Sequence, residues 1–209
     1  MSNNAIKLNE SKNINVVSDR KSKSREVNQS KLDELIEKIN KEEDRQALEC
    51  FYDTNAKLWG FRMKDDQKII IEARFEAAWD FSEGFAMVRL DDKFGFIEQD
   101  GSYLIEPKFD DVSSFKEGFA PIKLNDKWGF IKTDNSYLVE PKFDDAWNFI
   151  NNFALVVVDG KFGYIKPDGT YLIEPKFDSA WDFEERFAMV ELNGKFGKID
   201  TQGNEYWDK

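Results

Sequence analysis

From about residue 57 onward, apolar and polar positions fall into short runs that end at Asn, Asp or Gly. Within 153–177, Ala154-Leu-Val-Val-Val158 is apolar and β-branched, Asp159-Gly160 is a two-residue turn, and Lys161-Phe-Gly-Tyr-Ile165 returns. Pro167-Asp168-Gly169 then turns the chain into Thr170-Tyr-Leu-Ile-Glu174. Asn, Asp and Gly tolerate the backbone of such turns best, so the pattern predicts a three-stranded antiparallel meander. The first turn recurs as Asp91-Asp92, Asn125-Asp126 and Asn193-Gly194, and the second as Asp100-Gly101, Asp134-Asn135 and Gln202-Gly203. The stretch 175–183 reads as a link to the next meander, with Pro175 marking the end of the third strand. Pro121, inside a predicted first strand, argues for an edge or non-ladder position in that copy.

The meander is repeated. Trp59-Gly60, Phe94-Gly95, Trp128-Gly129, Phe162-Gly163 and Phe196-Gly197 are separated by 35, 34, 34 and 34 residues. Glu106-Pro-Lys-Phe109, Glu140-Pro-Lys-Phe143 and Glu174-Pro-Lys-Phe177 keep the same step, with Glu72-Ala-Arg-Phe75 as a degenerate first copy. Self-similarity at such a period marks an array in which each unit buries its apolar face against its neighbours. The expected fold is therefore all-β: about four and a half units of three-stranded meanders across 57–209. Because three strands fall short of a propeller blade, the array is expected to be open.

Upstream the pattern changes. Leu32, Leu35, Ile36 and Ile39 follow helical spacing, Leu48 and Phe51 lie further along, and Ser30 offers an N-cap. This predicts an amphipathic helix within 30–56 that caps the array. Residues 1–29 are rich in Ser, Asn, Lys and Arg, contain no aromatic residue, and read as a flexible tail.

The recurring columns Lys-Trp/Phe-Gly-Phe/Tyr-Ile, Ile-Glu-Pro-Lys-Phe-Asp, Ala-Trp-x-Phe and Phe-Ala-x-Val resemble the WG-repeat (KWG-repeat) family. Lys127-Trp-Gly-Phe-Ile131 carries the fullest form of the name motif. The resemblance spans roughly 57–205. It implies a β-rich, mostly bacterial repeat protein without a common enzymatic activity, and it supplies no catalytic residue to carry over.

Composition narrows the chemistry. The 209 residues include 30 Lys and Arg against 41 Asp and Glu, no His, and one Cys, Cys50. Without His, the commonest general base and metal ligand is missing. A lone Cys makes neither an internal disulfide nor a thiolate zinc site, and without His it lacks its usual activating base. A net charge of −11 speaks against phosphate-backbone binding. No segment approaches the apolar length of a bilayer span or a secretory signal, which makes a reducing cytoplasmic setting the expectation.

Asp110-Asp111 and Asp144-Asp145 recur at one position of the repeat, which argues for turn-capping carboxylates rather than an asymmetric acid/base pair. No calcium-loop spacing is present, and neither a cofactor nor a metal is expected. Trp79, Trp147 and Trp181 share one column, interrupted by Ser113, each two residues before a Phe. Core packing between units is the expectation for them, since repetition preserves what holds an array together. The alternative is an exposed set, Trp79, Asp80, Trp147, Trp181 and Asp182, suited to a partner's hot spot or to sugar rings. The function expected is non-catalytic binding of a protein partner, attracted as a basic surface by the acidity of 57–209; a glycan- or cell-wall-binding module is the alternative.

Overall fold

The structure, a computed structural model, describes residues 47–208. Its secondary structure is β throughout. The first sheet contains β1 (Leu48–Asp53), β2 (Leu58–Met63) and β3 (Ile69–Phe75) in that order. The second orders β4 (Ala77–Ala78), β5 (Phe85–Leu90), β6 (Lys93–Glu98) and β7 (Tyr103–Phe109). The third orders β8 (Asp111–Val112), β9 (Phe119–Leu124), β10 (Lys127–Lys132) and β11 (Tyr137–Phe143). The fourth orders β12 (Asp145–Ala146), β13 (Ala154–Val158), β14 (Lys161–Ile165) and β15 (Tyr171–Phe177). The fifth orders β16 (Ser179–Ala180), β17 (Phe187–Leu192), β18 (Lys195–Asp200) and β19 (Glu205–Trp207).

Three expectations change. Four of the five sheets have four strands rather than three, because two residues of each link pair with the following strand. Among the described residues the array holds five units rather than four and a half, and the first of them begins at Leu48, so a boundary at 56/57 falls inside the turn between β1 and β2. Leu48, Cys50 and Phe51 belong to β1, not to a helix: paired along its whole length with β2, this segment satisfies its backbone in a ladder. The remainder of the expected helix, 30–46, and the tail 1–29 lie outside the described residues.

The aromatic–glycine motif has a steric cause. Trp128 pairs with Phe143 while Phe130 pairs with Val139, so β11 carries two extra residues over Gly129. The bulged Glu140-Pro141 backbone thereby presses onto the glycine, and a Cβ there would stand 2.6 Å from the Val139 carbonyl oxygen and 2.7 Å from the Pro141 nitrogen. Gly60, Gly95 and Gly163 lie under equivalent bulges. Pro121 is accommodated because its backbone turns from β10 toward the link, where its carbonyl accepts from the Ser113 amide at 2.9 Å. The missing N–H is therefore not lost from the ladder with β10, as the sequence suggested.

Each of the four core clusters lies between two consecutive sheets. The side chain at one position of the second long strand, Phe61, Phe96, Phe130 or Tyr164, points forward, and the next residue, Ile97, Ile131, Ile165 or Ile199, points back. The link contributes the wedge: Phe115, Phe149 and Phe183 are buried against Phe85, Phe119 and Phe153 of the preceding unit at 4.9, 4.5 and 4.3 Å. Among the described residues no core cluster joins the first sheet to the fifth.

Polar clasps reinforce the seams. After each link Phe, a tight hairpin closes with mutual hydrogen bonds between Ser82 and Phe85, at 2.8 and 3.1 Å, and at the equivalent pairs downstream. Glu117 (φ 53) and Gly118 (φ 82) both take left-handed backbone there, and their amides donate to the Glu83 carboxylate at 2.8 Å each. Glu117 in turn accepts from the amides of Asn151 and Asn152, also at 2.8 Å. One unit thus holds the turn of the next.

Candidate functional site

Trp79, Trp147 and Trp181 directly follow the short strands β4, β12 and β16. Their amides make one last bond to the sheet, to the carbonyls of Met87, Leu155 and Met189 at 3.1 Å each, and the chain then leaves the ladder. Strand alternation stops there. The Phe two residues later turns into the seam in the second half of the link, whereas the indoles stand 40%, 40% and 49% exposed. The expectation that the Trp column fills the core is overturned.

Each exposed indole is backed by another ring. Trp79 lies against Phe94 at 5.9 Å, Trp147 is stacked on Phe162 at 6.1 Å and 24°, and Trp181 lies against Phe196 at 6.4 Å. The backing ring is the aromatic of the aromatic–glycine motif. In the third unit the sizes are exchanged: Ser113 occupies the link position and Trp128 the strand position. Ser113 is tied to the next link instead: its hydroxyl donates to Asn148 Oδ1 at 2.6 Å while Asn148 Nδ2 donates to the Ser114 carbonyl at 2.6 Å. The indoles occupy the second, fourth and fifth sheets, and no ring contact joins any two of them among the described residues.

The acidic members of the candidate set differ in availability. Asp80 is exposed but already engaged, accepting from the Cys50 amide at 3.0 Å. Asp182 borders Trp181 in a surface depression, and partial burial raises its carboxyl above the usual Asp range. Next to it, the buried Tyr164 hydroxyl donates to the Trp181 carbonyl at 2.6 Å and fixes the backbone of the link.

The recurring acids cap turns, but the first of each pair caps a distant hairpin rather than the local turn that the sequence suggested. Asp110 accepts from the Asn125 amide at 2.8 Å and from Lys93 Nζ at 2.6 Å, tying the second unit to the hairpin of the third. Asp144 repeats this with Asp159 and Lys127, and Asp178 with Asn193 and Lys161. The lysine of the motif is thus an inter-unit strut, and its hydrogen bond is the main cause that holds all three carboxyls below the ordinary Asp range. Among the described residues no group of three or more Cys, Asp or Glu is placed to hold a metal ion.

Cys50 is half-buried, and burial together with its hydrogen bond to Asp80 pushes the thiol up from 9.0 to about 11. A thiolate is the reactive form, so alkylation of Cys50 by iodoacetamide near pH 8 is expected to run about 100-fold slower than that of an unhindered thiol. A rate near that of a free cysteine peptide would refute the burial.

The WG containing repeat family model matches four consecutive copies, over 63–94, 94–128, 128–162 and 162–196. Curated proteins yield no match. Among solved structures, a crystal structure of the eukaryotic initiation factor aligns at 12% identity and TM-score 0.48, covering 77% of this chain and 51% of its own. The WD40 β-propeller domain of Doa1 aligns at 10% and 0.37, covering 78% of this chain and 64% of its own. A plant lectin from Cicer arietinum with two metal-binding sites aligns at 12% and 0.27, covering 66% of this chain and 92% of its own. The chain thus spans about half the length of the first of these structures and under two thirds of the second. Likenesses at this level say nothing about a ligand. Each of the four matched copies contains one link Phe, in turn Phe81, Phe115, Phe149 and Phe183, and the chain belongs to the WG-containing repeat family.

Proposed function

We propose that the array is a non-catalytic interaction module that binds a protein partner through its exposed indoles. The observation that carries this reading is that Trp79, Trp147 and Trp181 each present 40% or more of their surface while a backing ring holds them in place. Rigid, partly open aromatics give much contact area at little entropic cost, which is how interface hot spots are built. The acidity of the chain favours a basic partner, whose approach it would speed. A non-catalytic role accords with carboxylates already committed to turns and lysines, and with the absence of His from the sequence.

A second reading has its own support. An indole stacked on Phe162 and still 40% open, as Trp147 is, also suits the face of a sugar ring. Affinity capture from the source organism, with the full chain and a Trp79/Trp147/Trp181→Ala variant as baits, checks the proposal. The expected result is a protein retained by the first and lost from the second at unchanged melting temperature. Equal retention by both, or capture of oligosaccharide alone on a glycan array, would reject the protein-partner reading.

A further inference from the structure

At each internal seam the forward face of one sheet is covered by the next unit. The fifth sheet has no such cover among the described residues. Phe187 holds the position at which Phe85, Phe119 and Phe153 receive the wedge of the following link, yet the ring it meets among the described residues is Tyr206 of its own sheet, edge-on at 6.1 Å. Met189 and Phe196 are each 48% exposed, and with Phe187 and Trp181 they line a cavity of about 520 Å³ bordered by Asp182 and Glu184. The forward column, Phe or Tyr in the other units, here ends in Lys198, whose ammonium lies 4.4 Å from the centre of the Phe187 ring. The face therefore combines an apolar centre, a cation and two carboxylates.

We infer that this face docks on the same face of a second copy of the chain, giving a two-fold dimer. A two-fold contact must be self-complementary, with residue i meeting j and j meeting i. Here the apolar centres meet, and Lys198 of each copy is brought toward Asp182 and Glu184 of the other, so the charges are balanced twice over. The opposite end of the array does not fit. Its backward column starts with Arg62 in place of Ile97, Ile131, Ile165 and Ile199, and Arg62 Nε pairs with Glu49 at 2.9 Å while its guanidinium covers Phe51 at 5.6 Å. Seating Phe187 and Met189 on that end would desolvate an ion pair against apolar groups, which is unfavourable. Head-to-tail growth is closed at one end, whereas the uncovered face has a fitting partner in itself.

Sedimentation of the 209-residue chain between about 1 and 100 µM tests this. The expected result is a concentration-dependent rise from 24.4 kDa toward twice that mass. Met189→Glu is expected to weaken the association at least tenfold, on the order of a central hot-spot loss. Lys198→Glu and Asp182→Lys/Glu184→Lys, both at exposed positions, are each expected to be monomeric alone and to form a 1:1 complex when mixed, since the mixture restores both sets of opposite charges. A monomer at about 100 µM, which leaves the face to another occupant, would overturn the proposal. So would species larger than a dimer, failure of the mixture to pair, or abolition by Arg62→Glu. Trp181 belongs to both surfaces, so partner binding is scored separately on a Trp79→Ala/Trp147→Ala variant, whose two indoles lie outside the dimer face and are untouched by these substitutions.

Discussion

Gly129→Ala is expected to destabilise the protein by about 3 kcal/mol, the upper end of overpacking costs, and to broaden or abolish cooperative unfolding. The methyl group would enter at 2.6 Å from the Val139 oxygen, 2.7 Å from the Pro141 nitrogen and 2.9 Å from the Glu140 carbonyl carbon. All three are backbone atoms of the bulge, so no side chain can swing aside. Relief requires β11 to lift from β10, which carries Val139 and Phe143 out of the seam with the fourth sheet. Gly118→Ala is the control. It has open space around it but a φ of +82°, so only the left-handed backbone penalty of about 1 kcal/mol applies. Chemical denaturation of the two variants measures the difference; equal losses would show that steric contact is not what keeps the motif glycine.

Phe149→Ala is expected to cost about 3–5 kcal/mol. Its ring comes from the link of the fourth unit, is fully buried, and packs against Phe119 at 4.5 Å and Phe130 at 5.4 Å in the third. Removing it opens a cavity in a seam framed by sheets that cannot collapse without losing their ladders. Trp147→Ala, two residues earlier, should cost far less because its indole is partly solvated and outside the core cluster. Hydrogen exchange adds a spatial signature: protection should fall first across the third and fourth sheets, since coupling in an array runs between nearest neighbours. Uniform loss over all five sheets would contradict that nearest-neighbour picture.

The residues differ in how openly they announce their roles. The period, the strands and the two Asn/Asp/Gly turns of each unit were legible because each rests on local backbone preference. The extra short strands were not: Ala77–Ala78 and its equivalents are two residues long and carry no periodicity. The hairpin after each link Phe was equally hidden, because Glu83 and Glu117 adopt positive φ against their propensity and are held by inter-unit hydrogen bonds. Leu48 and Phe51 extended a helical spacing by coincidence, and only pairing with β2 decides in favour of a strand. For the indoles, Trp79 and Phe81 looked equivalent on the assumption of a continuously extended link. The chain leaves the sheet between them, and that single departure separates surface from seam.

The seams also bear on how such a chain can change over generations. The junctions between the second and fifth units use the same link-Phe wedge and the same lysine strut, so excising 34 residues between equivalent landmarks there joins two surfaces that already match. Duplication does the same in reverse. Arg62 and Lys198 stand where the other units carry Ile and Phe or Tyr, so the first and fifth sheets do not present the surfaces that the inner junctions match.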